Sequence, residues 1–307
     1  MSNIRSKRAA RRKPILPKST SVLYDELIDG SNPTLIIEDA IEETINDVVE
    51  SSTGIQHYDY QAMSNLYTEN NPAQQLGNYR SAMDYLCYYT TNVTRENMLL
   101  DRLKDLIYDF PNCDISSYAS KQNGAIHSWV ISQMINVFAK KYLGTVYVLD
   151  GGIGLLSAGF LDSSLVFQNI RSFDLNPTGQ FMADSLMKNE LLEDWRFKST
   201  TQDIFNLDYV KNEFITTLPD GSLSNPFDEI PNVIINTNIS SIENYEDWWK
   251  MIPTDRHVVL VATGNEESVR PFLSSIAFNR KFQLKTELYS GNQKINGINY
   301  YMKIGIK

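Results

Sequence analysis

The chain has 307 residues, of which 42% are hydrophobic and 21% charged, the balance of a folded body. No apolar run approaches the roughly 18–20 residues needed to cross a bilayer, so no membrane partner is expected. Net charge is −9, and Cys87 and Cys113 are the only cysteines, too few for a disulfide framework or a thiolate metal site, which fits a reducing compartment.

Residues 1–20, MSNIRSKRAARRKPILPKST, carry seven basic side chains and no acid. The remainder then holds 21 basic against 37 acidic residues, a balance of −16. Such an arm either tracks nucleic acid through counterion release, docks on an acidic protein surface including a neighbouring copy, or stays solvated. No apolar stretch follows it, so a secretory signal is not expected. Ile41, Ile45 and Val48 or Val49 recur at helical spacing and predict a short helix over 37–50. Residues 62–79, with Asn-Pro and Gly, read as a connection. Ala82, Leu86, Tyr89, Val93, Leu99, Leu103 and Leu106 step by threes and fours, which predicts one bent or two consecutive helices ending before Pro111. A further helix is expected over 122–141.

From residue 145 the rhythm changes. Strand-like runs at 146–149, 170–174, 195–200, 232–237 and 257–263 alternate with helical ones, which argues for a parallel sheet with crossover helices. At the C-terminus KFQLKTELYSG and GINYYMKIGIK, joined by a short polar link, read as an antiparallel hairpin. Within it Ile298, Tyr300, Met302, Ile304 and Ile306 alternate with Asn299, Tyr301, Lys303, Gly305 and Lys307, the pattern of a strand covered on one face.

The candidate site starts at the first of these runs. In VYVLDGGIGLLSAG, Asp150, Gly152 and Gly154 end the strand, and glycines there let a ligand approach the backbone. Leu155, Leu156, Phe160 and Leu161 supply the buried face of the next helix. A bare strand-to-helix turn is an equal reading of that stretch alone. In SFDLNPTGQF, Asn176 and Pro177 serve as helix cap and first helical residue, which frees Asp174 to accept hydrogen bonds from ribose hydroxyls. Asp203, in TTQDIFNLD, stands where an adenine amino group would be read, or else caps a loop. In NTNISSIENYEDWW, Asn236 and Asn238 are able to orient a substrate but neither is a general base. Ser240 and Glu243 have capping-box spacing and read as a helix start. Trp248 and Trp249 point about 100° apart, one toward the core and the other toward a pocket. His257 falls at the amino edge of its strand, and His127, on a helix, reads as structural. His57, His127 and His257 lie far apart, which leaves metal chemistry without support.

In order and spacing these features resemble class I S-adenosylmethionine-dependent methyltransferases. The stretches VLDGGIGLLS, FDLNP, WRFKSTTQDIFNLDY, VIINTN, WWKMIP and LYSG through YYMKIGIK, with KQNGAIHSWVISQ before them, look like methyltransferase-like proteins of tailed phages. The resemblance implies an α/β Rossmann-like class I methyltransferase sheet with a terminal antiparallel hairpin and an N-terminal helical extension. With the charge and periodicity of the preceding residues, the chain divides into a basic arm (1–20), an acidic extension and linker (21–79), a helical lead-in (80–143) and the methyltransferase domain (144–307), the resemblance itself covering 145–307. It also implies S-adenosylmethionine as cofactor, held by Asp150, Gly152, Gly154, Asp174, Asp203 and Asn236. Charged or imidazole groups expected after the fourth strand in that group are replaced by NTNISSIE, and neither the Asp/Asn-Pro-Pro-aromatic motif nor a Pro-Cys nucleophile occurs. Two readings follow. One is a methyltransferase of the host cytoplasm with an unidentified acceptor. The other is an inactive relative, a structural or binding protein of the virion, whose arm contacts nucleic acid or neighbouring subunits of a homo-oligomer or particle.

Overall fold

The computed structural model describes residues 72–89, 98–192, 195–214 and 225–307. The basic arm and the helix expected over 37–50 lie outside the described residues. Three helices come first: α1 (Pro72–Tyr89), α2 (Leu99–Asp109) and α3 (Lys121–Phe138). The connection expected through residue 79 is helical from Pro72 onward. Proline at the first helical position gives up an N–H that would have no partner there, and Gly77 has open space around it. Leu99, Leu103, Leu106 and Ile107 bury one face of α2, and Ser120 caps α3 by accepting from the Asn123 amide at 3.1 Å.

The alternating part comprises β1 (Thr145–Leu149), α4 (Leu155–Leu161), β2 (Asn169–Asp174), α5 (Pro177–Leu186), α6 (Lys188–Leu192) and β3 (Phe197–Thr201). After it come β4 (Asn212–Phe214), β5 (Phe227–Glu229), β6 (Pro231–Asn236), α7 (Tyr245–Met251), β7 (His257–Thr263), α8 (Ser275–Lys281), β8 (Thr286–Ile295) and β9 (Ile298–Ile306). Seven strands form one sheet in the order β3-β2-β1-β6-β7-β9-β8, and β4 and β5 pair separately. The first five of the seven run parallel, while β9 is antiparallel to both neighbours. This is the Rossmann-like methyltransferase sheet with its terminal hairpin that the sequence leads one to expect. Every residue of β1 is buried, as an apolar strand covered on both faces should be.

The hairpin departs from its expected form in two ways. Its link is only Asn296 and Gly297, both at positive φ (49° and 84°), so the strand continues through Gly291 to Ile295. Nor is β9 covered on one face only, because Tyr300 to Gly305 are all buried. Lys303 is tolerated there because its Nζ donates to the Phe282 carbonyl at 3.0 Å and pairs with Glu287 at 2.9 Å. Strand β8 takes the exposed edge instead, and its polar run Asn292, Gln293, Lys294 discourages pairing with another chain.

Between β1 and β6 the strand order reverses direction. In open α/β sheets a crevice opens outside the carboxyl ends of the strands at that point.

Candidate functional site

A cavity of about 380 Å³ occupies that crevice. Its floor is the turn after β1, where Asp150, Gly152 and Gly154 take φ of 54°, 53° and 80°. An aspartate tolerates that left-handed conformation better than most side chains. A Cβ on Gly152 would lie 2.5 Å from the Tyr118 ring, so the residue type is fixed by sterics as well as by φ. Gly151 is required too: a Cβ there would strike the Ser172 hydroxyl of β2 at 2.0 Å.

Asp174 ends β2 at the same rim, 9% exposed. One carboxylate oxygen accepts the Gly152 amide at 2.8 Å and the other the Asn176 amide at 2.8 Å. Each oxygen keeps a second lone pair. Asn176 caps α5 by accepting from Thr178, so the helix does not draw on Asp174 for its cap. Asp150 lies across the turn and accepts from the Asn238 side-chain amide at 2.7 Å. Burial pushes its carboxyl above the ordinary range, the Asn238 bond opposes that push, and the neighbouring charge of Asp174 adds to it.

Three further elements complete the walls. From the loop before α3, the Tyr118 hydroxyl accepts from the Asn176 side-chain amide at 2.8 Å, spanning the gap between the turns after β1 and β2. Burial raises the Tyr118 phenol, and the Asp174 charge raises it further. From α3, Gln122 donates to the Tyr300 hydroxyl of β9 at 2.5 Å. His127, also on α3, lines the cavity with its Nδ1 2.8 Å from the Tyr85 hydroxyl. Burial pulls its imidazole down to about 4, so the ring is neutral at pH 7. Thr237 and Asn238 after β6, Thr263 at the end of β7 and Asn265 after it line the remaining side. Among the described residues lining the cavity none is Lys or Arg.

Of the six site residues expected from the sequence, Asp150, Gly152 and Asp174 meet in this cavity. Gly154, Asn236 and Asp203 are not among its lining residues. Gly154 starts α4 and packs toward α5, where its Cβ would sit 3.3 Å from that of Ala183. Asn236 is 1% exposed and uses its side-chain oxygen on the Asn238 amide at 2.8 Å, which holds Asn238 in place. Asp203 caps a single 3-10 turn by accepting from the Phe205 amide at 2.9 Å. The preference of a short carboxylate for a nearby backbone N–H decides its direction.

Two more expectations need correction. Ser240 begins no helix: its hydroxyl accepts the Thr263 amide at 2.9 Å and is buried, so it ties the turn after β6 to the end of β7. Trp248 is the core residue and donates to Tyr209 at 2.9 Å, but Trp249 lies under the Lys307 ammonium (4.5 Å to the ring centre) and lines no part of the cavity. His127 reaches the cavity although the sequence reads it as structural. Tyr118, Gln122, Tyr300 and Gly151 went unsingled in the sequence. The Gly-Gly pair at 151–152 was the one available signal.

No protein-family model matches the sequence, and no curated protein matches it. Solved structures give distant likenesses. A candidate S-adenosyl-L-methionine-dependent methyltransferase from Methanococcus maripaludis is 18% identical with a TM-score of 0.32, covering 44% of this chain and 54% of its own. The chain thus spans about half the length of that protein. Magnesium protoporphyrin IX methyltransferase from Synechocystis, solved with bound S-adenosylmethionine, is 11% identical over 68% of this chain and 92% of its own, at a TM-score of 0.42. A geranyl diphosphate methyltransferase, solved in complex with GPP and sinefungin, is 9% identical over 62% of this chain and 81% of its own, at a TM-score of 0.43.

Proposed function

We propose that the protein binds S-adenosylmethionine in the cavity at the carboxyl ends of β1 and β6 and transfers its methyl group to an acceptor. The observation that carries this reading is the meeting of Asp150 and Asp174 in one hollow of about 380 Å³ with no Lys or Arg among its described lining residues. Phosphate-bearing nucleotides need N–H donors or cations around their charge. Two carboxylates repel them and favour a ligand that brings positive charge. The donor set fits S-adenosylmethionine: hydroxyls of a ribose suit the free lone pairs of Asp174, and an ammonium or sulfonium suits the field of Asp150. When bound, the cofactor supplies an activated methyl group. This chain's residues would hold the two reactants in line, and alignment of that kind supplies much of the acceleration in transfer reactions. Asn238 would orient Asp150, and Gln122, Tyr300 and Thr263 would offer neutral hydrogen bonds to whatever enters beside the cofactor. Asp203 contributes to adenine recognition only if its cap is released.

Isothermal titration with S-adenosylmethionine tests the reading. Saturable binding is expected, with loss on Asp174→Ala; no binding up to millimolar ligand contradicts it. A second reading, a virion protein of a tailed phage that keeps the cavity without transfer, draws on the neutral His127, whose Nδ1 is already engaged by Tyr85. Binding without incorporation of labelled methyl into any fraction of a host extract supports that reading over the first.

A further inference from the structure

Helix α3 brings to the cavity one titratable group that takes no part in holding the cofactor. Gln122, Asn123, Ile126 and His127 line the cavity from that helix, and the last three, at three- and four-residue spacing, share one face of it. His127 is half-buried, and its Nδ1 lies 2.8 Å from the hydroxyl of the fully buried Tyr85 on α1. The two rings meet edge to face with centres 5.6 Å apart. Tyr85 thus covers the Nδ1 side, and the exposed part of the imidazole is the edge that carries Nε2, which has no hydrogen-bond partner among the described residues. Burial keeps the ring neutral at pH 7, so Nε2 offers a lone pair whenever the proton sits on Nδ1. The other groups on the wall are protonated, neutral or engaged. Burial raises the phenols of Tyr118 and Tyr300, Thr237 and Asn238 are neutral, and Asp150 and Asp174 already accept from the Asn238 side chain and from two backbone amides.

We infer that His127 is the catalytic residue that takes the acceptor's proton on Nε2, and that Tyr85 is the positioning residue that holds the ring's own proton on Nδ1. The inference rests on the transfer reading above and adds the chemical class of the acceptor: a protic group, hydroxyl or neutral N–H, that must lose a proton as it is methylated. In that step the acceptor's bond to hydrogen breaks and its proton passes to Nε2. The freed electron pair bonds the methyl carbon, and the pair of the broken carbon–sulfur bond stays on sulfur. Positive charge lost at sulfur reappears on the imidazolium, so the net charge of the site is unchanged. Burial disfavours the charged ring, which then gives its proton to water.

The test compares the full chain with its His127→Asn and Tyr85→Phe variants, using S-adenosylmethionine that carries a labelled methyl group in a host extract. Asparagine keeps a polar group for the Tyr85 hydroxyl and has a helix propensity close to that of histidine, so the first variant should fold. Its affinity for S-adenosylmethionine by calorimetry should stay within about twofold of wild type, as when only a transition-state contact is lost. Its rate of methyl incorporation should fall about 100-fold or more. Nitrogen-15 spectra of the imidazole, which need no acceptor, should show the proton on Nδ1 in the wild type and partly on Nε2 in Tyr85→Phe. Incorporation by His127→Asn within about threefold of wild type, or a wild-type ring protonated on Nε2, overturns the assignment of His127. An unmoved proton in Tyr85→Phe overturns that of Tyr85. A wild type that binds S-adenosylmethionine and labels no fraction overturns the transfer reading itself, and this inference with it.

Discussion

Charged side chains in two regions of this protein, one buried and one at the rim of the cavity, are treated differently. Near the β2–β3 side, Arg171 (2% exposed) reaches Glu229 (7%) with two guanidinium nitrogens at 2.8 and 2.5 Å and donates again to the Trp195 carbonyl. Asp184 on α5 pairs with Lys198 and also accepts the Ser199 amide at 2.8 Å. At the rim of β1 and β2 the carboxylates of Asp150 and Asp174 receive only uncharged donors and face open volume. Charge that is matched internally holds elements together, and charge left unmatched beside a cavity awaits something from outside.

The largest effect should come from unbalancing the first region. Arg171→Met strands Glu229 without its cation and should cost about 3–5 kcal/mol of stability, read from urea unfolding. A loss below about 1 kcal/mol would mean that this pair is less buried in solution than its exposure implies. Next in size, Gly152→Ala forces a side chain into left-handed φ against the Tyr118 ring and should cost about 1–3 kcal/mol while weakening S-adenosylmethionine binding. Unchanged binding would take the glycine turn out of the site.

Asp174→Ala should lower ligand affinity about tenfold or more, because a hydrogen bond to a charged acceptor contributes roughly 1.5–3 kcal/mol. Affinity equal to the parent would remove Asp174. By contrast Asp203→Ala should cost only about 0.5–1 kcal/mol through its lost cap and leave affinity within about twofold. A tenfold fall in affinity would return Asp203 to the adenine.

Asp150→Asn sharpens the contrast most finely. The Asp150 carboxyl sits above its ordinary range in the folded chain, so its ionisation works against folding. The contribution of the protonated form is complete below the unfolded carboxylate range, about pH 4, and is lost as pH rises through the raised native value. The groups facing it are Asp174 and Tyr118, with the Asn238 amide; none is cationic. The variant should therefore melt higher than wild type at pH 7 and equal to it near pH 3. A lower melting temperature at pH 7 would show that the Asp150 charge supports the fold.

How much of this was legible in the sequence follows from the range of the forces involved. Strands β1, β6 and β7 announce themselves as short apolar runs, and Asp150 and Asp174 fall at their ends or at that of β2, so the crevice follows from chain order. Cues that depend on partners far along the chain did not show. Lys303 reads as a solvent-facing residue until Glu287 and the Phe282 carbonyl are brought to it. Ser240 reads as a cap until Thr263 claims its hydroxyl. Tyr118, Gln122 and Tyr300 reach the cavity from a loop, a helix and the last strand, and no spacing links them. Asp203 shows the opposite failure, since a local N–H two residues away competes with any distant ligand.

The most direct test of the central claim is a crystal structure of the protein with sinefungin. Density for the nucleoside between the turns after β1 and β2, with ribose oxygens within hydrogen-bonding distance of Asp174 and the amine toward Asp150, is the expected result. A cavity that stays empty at saturating ligand, or a nucleoside bound away from both carboxylates, would contradict it.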